Sequence, residues 1–318
     1  MTLGAVRIPL SDIITALFGN AEPSQETILW NIRLPRVLSA ALAGLCLSIS
    51  GASMQSILRN PLGSPFTLGI SHAAAFGAGF AIICFGGGTM QSTYGDAVIV
   101  NNPYIVTISA FAFCVMATVI ILFTSKINGA RPQTMILMGI ILGSLFSAGS
   151  TALQYFANDV QLAAIVYWTF GDLGRADWHE FAIIAVISVP SMIFFYKNSW
   201  NYSSLDAGDE VAQSLGVNIN KTRVAGMVVA SLLTAVIISF FGIIAYVGLV
   251  VPHMIRRILG NDERFLVLGS AIFGSVFLLV ADTIARTVLS PVILPVGVLT
   301  SFLGAPLFIY LLFKKQAA

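Results

Sequence analysis

Long uncharged runs recur along this 318-residue chain, and their length predicts helices rather than strands. Residues 37–58, 65–94, 104–125 and 134–157 contain no Asp, Glu, Lys or Arg. The runs 181–196, 265–281 and 298–313 are shorter and span if flanking residues contribute. A hydrocarbon core of ~30 Å calls for ~20 apolar helical residues. Residues 224–255 are also uncharged but too long: at 1.5 Å per residue the run would measure ~48 Å. Gly242 lies near its middle and divides it into two helices, with Gly248 and Pro252 loosening the second. The pattern predicts an all-α, polytopic transmembrane bundle of about nine spans, forming a single transmembrane unit over 1–318.

Two segments interrupt the pattern. Residues 158–180 enclose an apolar stretch, 160–171, too short to span and expected to lie along the surface or cap the bundle. Residues 197–223 form the longest polar insertion between runs. A short amphipathic helix around 211–215, stopped by Gly216 and followed by another short segment, suits a partner outside the membrane. Small residues also recur every four positions, at Gly44, Ser48 and Ala52 and at Gly139, Gly143, Ser147 and Thr151. Such faces bring helices close where lipid supplies no hydrophobic drive.

Composition agrees: 57% of residues are hydrophobic and 9% charged, with mean hydropathy +0.90. A soluble domain carries about 25% charged residues, so lipid is the expected solvent. With 37–58 running inward, eleven basic residues fall inside: Arg59, Lys126, Arg131, Lys197, Lys221, Arg223, Arg256, Arg257, Arg264, Lys314 and Lys315. Arg7, Arg33, Arg36, Arg175 and Arg286 fall outside. That bias places the C-terminus in the cytoplasm. The net charge of +2 has no basic block and gives no nucleic-acid signal. No charged leader with an apolar core precedes the first run.

Several chemistries are missing from the sequence. The nearest approach to a P-loop, GVNINKT at 216–222, lacks the second glycine and a preceding strand, so the chain itself is not expected to bind ATP and Mg or to hydrolyse ATP. Cys46, Cys84 and Cys114 have no metal or redox spacing, and His72, His179 and His253 have no ligand-spaced carboxylate. No metal or cofactor is expected on the chain itself. Asp282 is the one acidic residue expected near a span interior, which speaks against an ion-coupled secondary transporter or an intramembrane enzyme.

Read together, RLPR at 33–36, NPLGSPFTLG at 60–69, YWTFGDLG at 167–174, GDEVAQSLG at 208–216, GIIAYVGLVVPH at 242–253, ADTIAR at 281–286, LPVG at 294–297 and GAP at 304–306 carry a resemblance. In order, and over essentially the whole chain, they resemble the permease family of ABC importers for iron–siderophore complexes, haem and cobalamin. The resemblance implies two permease copies, two cytoplasmic ATPase subunits and an extracytoplasmic binding protein in a prokaryotic inner membrane. Arg33, Arg36 and Arg286 look like the arginines that receive the binding protein's carboxylates; the alternative is interfacial anchoring. Asp206, Gly208, Asp209, Glu210, Leu215 and Gly216 look like the coupling segment seated on the ATPase, or else a solvated loop. Asn60, Pro61 and Leu62 fall at the cytoplasmic gate or form only a tight turn, with 131–133 a second gate candidate. Relatives of this kind carry a further span before residue 3, so the expected pattern is ten spans, with 1–32 extracytoplasmic here. Ferric siderophore is the first substrate expectation; haem, cobalamin and molybdate or tungstate stay open.

Overall fold

The computed structural model describes residues 9–18, 22–86, 89–90, 98–99, 103–127, 129–289 and 292–313. Helix α1 (Leu10–Leu17) packs Ile13 and Ala16 against Leu29, and Trp30 Nε1 donates to the Ala16 carbonyl at 3.2 Å. Helix α2 (Pro23–Thr27) runs through a π-helical turn at Ile28–Arg33 into α3 (Leu34–Leu58). The three pieces form one rod of 36 residues, Pro23–Leu58. The uncharged run starts this span at residue 37 and puts Arg33 and Arg36 at its end; in the structure both lie within the rod. The reason is local. Pro35 has no amide to donate, and the wider π turn before it gives the ring room without breaking the helix.

After α3, α4 (Ile70–Cys84) is shorter than the expected run 65–94: residues 65–69 are turns, and 91–94 lie outside the described residues. Strands β1 (Thr89–Met90) and β2 (Val98–Ile99) pair antiparallel, Thr89 opposite Ile99. Helices α5 (Pro103–Ile127) and α6 (Pro132–Phe156) come next, then α7 (Asp159–Thr169), which buries Ala164, Ile165 and Trp168 and packs on α4. The expected capping stretch is thus a helix. Its N-terminus is fixed by reciprocal bonds: Gln161 N donates to Asn158 Oδ1, and Asn158 N to Gln161 Oε1.

Helix α8 (Trp178–Lys197) gains its full length from the flanks of 181–196. Then come the short helices α9 (Ser199–Ala207) and α10 (Asp209–Ser214), and after them α11 (Ile219–Phe241), α12 (Val247–Leu259), α13 (Glu263–Thr287) and α14 (Val296–Phe313). The division at Gly242 is as expected, at φ +74°, but α12 runs through Gly248 and the buried Pro252 without interruption. Among the described residues, six helices are long and apolar enough to cross a membrane; α4 and α14 are shorter apolar helices. A bundle of about nine spans accommodates them.

The buried centre is α3, clasped by α13, α11, α12 and α8. A Cβ on Gly44 would overlap the Gly274 carbonyl, and one on Gly274 would overlap the Gly44 carbonyl, so α3 and α13 meet backbone to backbone. The second small-residue face is only half used. Gly139 and Gly143 abut Leu68 and Gly69, whereas Ser147 and Thr151 are exposed.

Candidate functional site: a cavity at a broken helix between two charged ends

Between α11 and α12 the backbone leaves the helix for residues 242–246, a costly shape in lipid unless protein covers it or a cavity faces it. Here both hold. Three segments converge: Asp172 N donates to the Phe241 carbonyl at 2.8 Å, and a Cβ on Gly171 or Gly297 would overlap the Ile243 carbonyl. Tyr246 takes a left-handed φ of 66° at the entry to α12. The opened turn borders a cavity of about 600 Å³ whose walls include Phe170, Thr234, Ile238, Tyr246, Ser301 and Phe302. None of its lining residues is charged. Such a surface lets a bulky solute pass without holding it by an ion pair.

At one end of the α3/α13 pair, Arg36 Nε and Nη2 donate to Asp282 Oδ1 at 3.1 and 2.7 Å. Arg286 Nε donates to Asp282 Oδ2 at 3.0 Å. Asp282 is 1% exposed and serves two guanidinium groups. Asp172 lies 4.0 Å from Arg36, caps its own turn through Gly174 N at 2.7 Å, and receives the Tyr167 hydroxyl at 3.3 Å. Burial, then the Asp172 charge, pushes the Tyr167 phenol up, so it stays a donor. Arg175 stacks over its ring at 5.6 Å. Arg33 is buried in the same rod, one turn before Arg36.

The opposite end holds the coupling and gate candidates together. Helices α9 and α10 form a hairpin broken at Gly208 (φ +127°). Asp209 takes a two-pronged pair from Arg223, Nη2–Oδ1 2.6 Å and Nη1–Oδ2 3.0 Å, and Arg59 approaches to 3.7 Å. Asp206 lies 3.4 Å from Arg256. Glu210, Leu215 and Gly216 are exposed on the hairpin's outer side. Asn60 Oδ1 accepts from Leu62 N at 2.9 Å, so the Asn60, Pro61 and Leu62 turn is built by its own side chain. Residues 131–133 share one surface hollow with Arg59, Asp209 and Arg223. Arg7, Lys314 and Lys315 lie outside the described residues.

Asp282 is not alone among buried acids. Glu263 is 0% exposed and accepts from Ser56 Oγ at 2.5 Å and Arg256 Nη2 at 2.9 Å. The uncharged run starts this span at residue 265 and leaves Glu263 in the polar connection. Asp262, next to it, caps α13 by accepting from Arg264 N. Among the described residues, the buried Asp, Glu, Lys and Arg side chains are Arg33, inside the Pro23–Leu58 rod, and Arg223, Glu263 and Asp282, toward the ends of α11 and α13. No other Asp, Glu, Lys or Arg is buried among the described residues.

A helical bundle with an uncharged cavity at a broken helix and a short charged segment at one end fits a membrane permease. The chain belongs to the FecCD transport family, whose model matches residues 1–314. It is 52% identical over 314 residues to a protein named as an ABC transporter permease in Methanocaldococcus jannaschii, covering 99% of this chain and 89% of that one. It is 35% identical over 287 residues to the hemin transport system permease of Yersinia pestis, covering 90% and 83%. A solved structure described as an inward-facing conformation of a metal-chelate type ABC transporter superposes with TM-score 0.82 at 28% identity, over 95% of this chain and 96% of that chain.

Proposed function

We propose that the chain is the translocating subunit of an ATP-driven importer that admits a metal chelate, with ferric siderophore the first candidate. The observation that carries this reading is the uncharged cavity of about 600 Å³ beside the opened turn at 242–246. It is wide enough for a chelate whose ligand shell hides the metal charge, and it offers no site for a coupling ion. The hemin relative and the metal-chelate structure support the same class. A second copy forms the other wall of the pathway, making a homodimer. Two ATPase subunits seat on the α9–α10 hairpin, and a binding protein docks on the end that carries Arg33, Arg36 and Arg286. The basic excess around Arg59, Arg131 and Arg256 orients the hairpin end to the cytoplasm of a prokaryotic plasma membrane.

Reconstitution in liposomes with the partner ATPase and the binding protein tests this. Uptake of the binding protein's ligand into the lumen should require the ATPase and Mg-ATP enclosed in the liposomes on the ATPase side. ATP hydrolysis by the purified chain, or uptake driven by an ion gradient without the ATPase, would overturn it.

A further inference from the structure

Asp209 meets Arg223 and Arg59, Asp206 meets Arg256, and Arg223 and Arg256 each reach back to the last turn of α3. Arg223, 2% exposed, grips Asp209 with its fork while its Nε donates to the Ile57 carbonyl at 3.3 Å. Arg256 pairs with Asp206 and donates through Nη2 to Ser56 Oγ at 2.6 Å. Glu263 closes the second set by accepting from both Ser56 and Arg256. Neighbouring residues of one helical turn are therefore held by two separate relays from the hairpin.

The backbone is strained where that turn ends. Arg59 closes α3 at φ +48°, ψ +41°, a left-handed position that glycine usually fills and that is unfavourable for a residue with a Cβ. Its side chain leans to Asp209 at 3.7 Å. The next residues are Asn60, Pro61 and Leu62. Close packing leaves little slack nearby, since a Cβ on Gly226 would crowd both Ile57 Cδ1 and the Tyr202 hydroxyl.

We infer that Arg223 and Arg256 are positioning residues for energy coupling: they transmit displacement of the α9–α10 hairpin to the last turn of α3 and so to the Asn60–Pro61–Leu62 turn. The inference rests on the importer reading above. At Arg223 the planar fork suits this task because two parallel bonds resist rotation as well as separation, while Arg256 meets Asp206 through one bond at 3.4 Å. Lysine would keep the charge and lose the torque. Arg256 lies on α12, whose entry residue Tyr246 lines the cavity, so the second relay also joins the hairpin to the pathway wall.

The test uses the full complex with its ATPase in liposomes. Leu62→Cys, in a Cys84→Ser background, reports access of a water-soluble maleimide; Cys46 and Cys114 are buried. In the parent, Mg-ATP should change the Leu62→Cys labelling rate by about fivefold, a coupling of ordinary allosteric size. Arg223→Ala and Arg256→Ala should flatten that response while ATP hydrolysis continues, and Arg223→Lys should leave part of it. Asp209→Asn, at a half-exposed position, carries the test if a buried arginine variant fails to fold. Variants that keep the full nucleotide response overturn the relay. A parent complex with no nucleotide response overturns the importer reading beneath it.

Discussion

Arg36 and Asp282 lie 246 positions apart and meet at 2.7 Å across the α3/α13 contact. Arg286 holds the second oxygen of the same carboxylate, so one buried acid joins two arginines from different helices. Removing one partner of a buried pair costs about 3–5 kcal/mol, because the remaining charge loses its compensation. Asp282→Asn should therefore lower the thermal midpoint of the detergent-purified protein by several degrees, monitored by tryptophan fluorescence. Arg286→Gln should cost less, since Asp282 keeps Arg36. Equal, negligible effects would mean the cluster adds nothing to the fold.

The same pairing changes how docking should be tested. Replacing Arg36 with Glu would set a carboxylate against Asp282, damaging the fold and the docking surface at once. Arg36→Lys keeps the charge and loses the fork, and Arg286→Lys does the same on α13. If these arginines receive carboxylates of the binding protein, the paired lysine variant should weaken its association about tenfold, measured by surface plasmon resonance on nanodisc-embedded complex. ATPase assembly should stay intact. Unchanged association would return the arginines to interfacial anchoring and to their bond with Asp282.

Gly44→Ala and Gly79→Ala make a matched pair of buried helical sites. A Cβ at Gly44 would overlap backbone atoms of Gly274, whereas at Gly79 it meets Leu153 and Ile165 side chains at 3.6 Å or more, an ordinary contact. Alanine gains about 1 kcal/mol of helix propensity at either place. Overpacking against backbone at Gly44 should reverse that gain by about 1–3 kcal/mol. Gly44→Ala should cut the yield of monodisperse protein in size-exclusion chromatography, and Gly79→Ala should match or exceed the parent.

Much of this arrangement is legible in the sequence, and the failures have physical causes. Runs of apolar residues give the spans because lipid imposes a length, and Gly242 marks a break because the run exceeds that length. The Gly44 face is read correctly because close packing demands small residues. Ends are read poorly. The uncharged run starts the first span at residue 37, but a π turn carries the helix past Pro35, and the rod begins at Pro23. Glu263 is not legible as a buried acid because its partners, Ser56 and Arg256, are distant in sequence or on another helix. The candidate docking, coupling and gate residues are individually visible as motifs. Their grouping is not, since Asp209–Arg223–Ile57 and Arg36–Asp282 arise only when the helices pack.

Asp177 gives a prediction with a defined pH window. It caps α8 by accepting from His179 N at 2.7 Å and Glu180 N at 2.9 Å, while Glu180 Oε2 accepts from Asp177 N at 2.8 Å. The Glu180 side chain and these amides hold the Asp177 carboxyl below its ordinary value. A depressed folded-state value stabilises the native form above the unfolded value, ~3.9 for aspartate, and that contribution fades as pH falls through the folded value. Loss of such a cap costs about 1 kcal/mol. Asp177→Ala should thus unfold at a lower temperature than the parent at about pH 5. The margin should narrow below about pH 4, where the parent's carboxylate also takes its proton. Differential scanning fluorimetry from about pH 5 downward measures it, and a margin that does not narrow there would show that Asp177 does not cap α8 as a carboxylate.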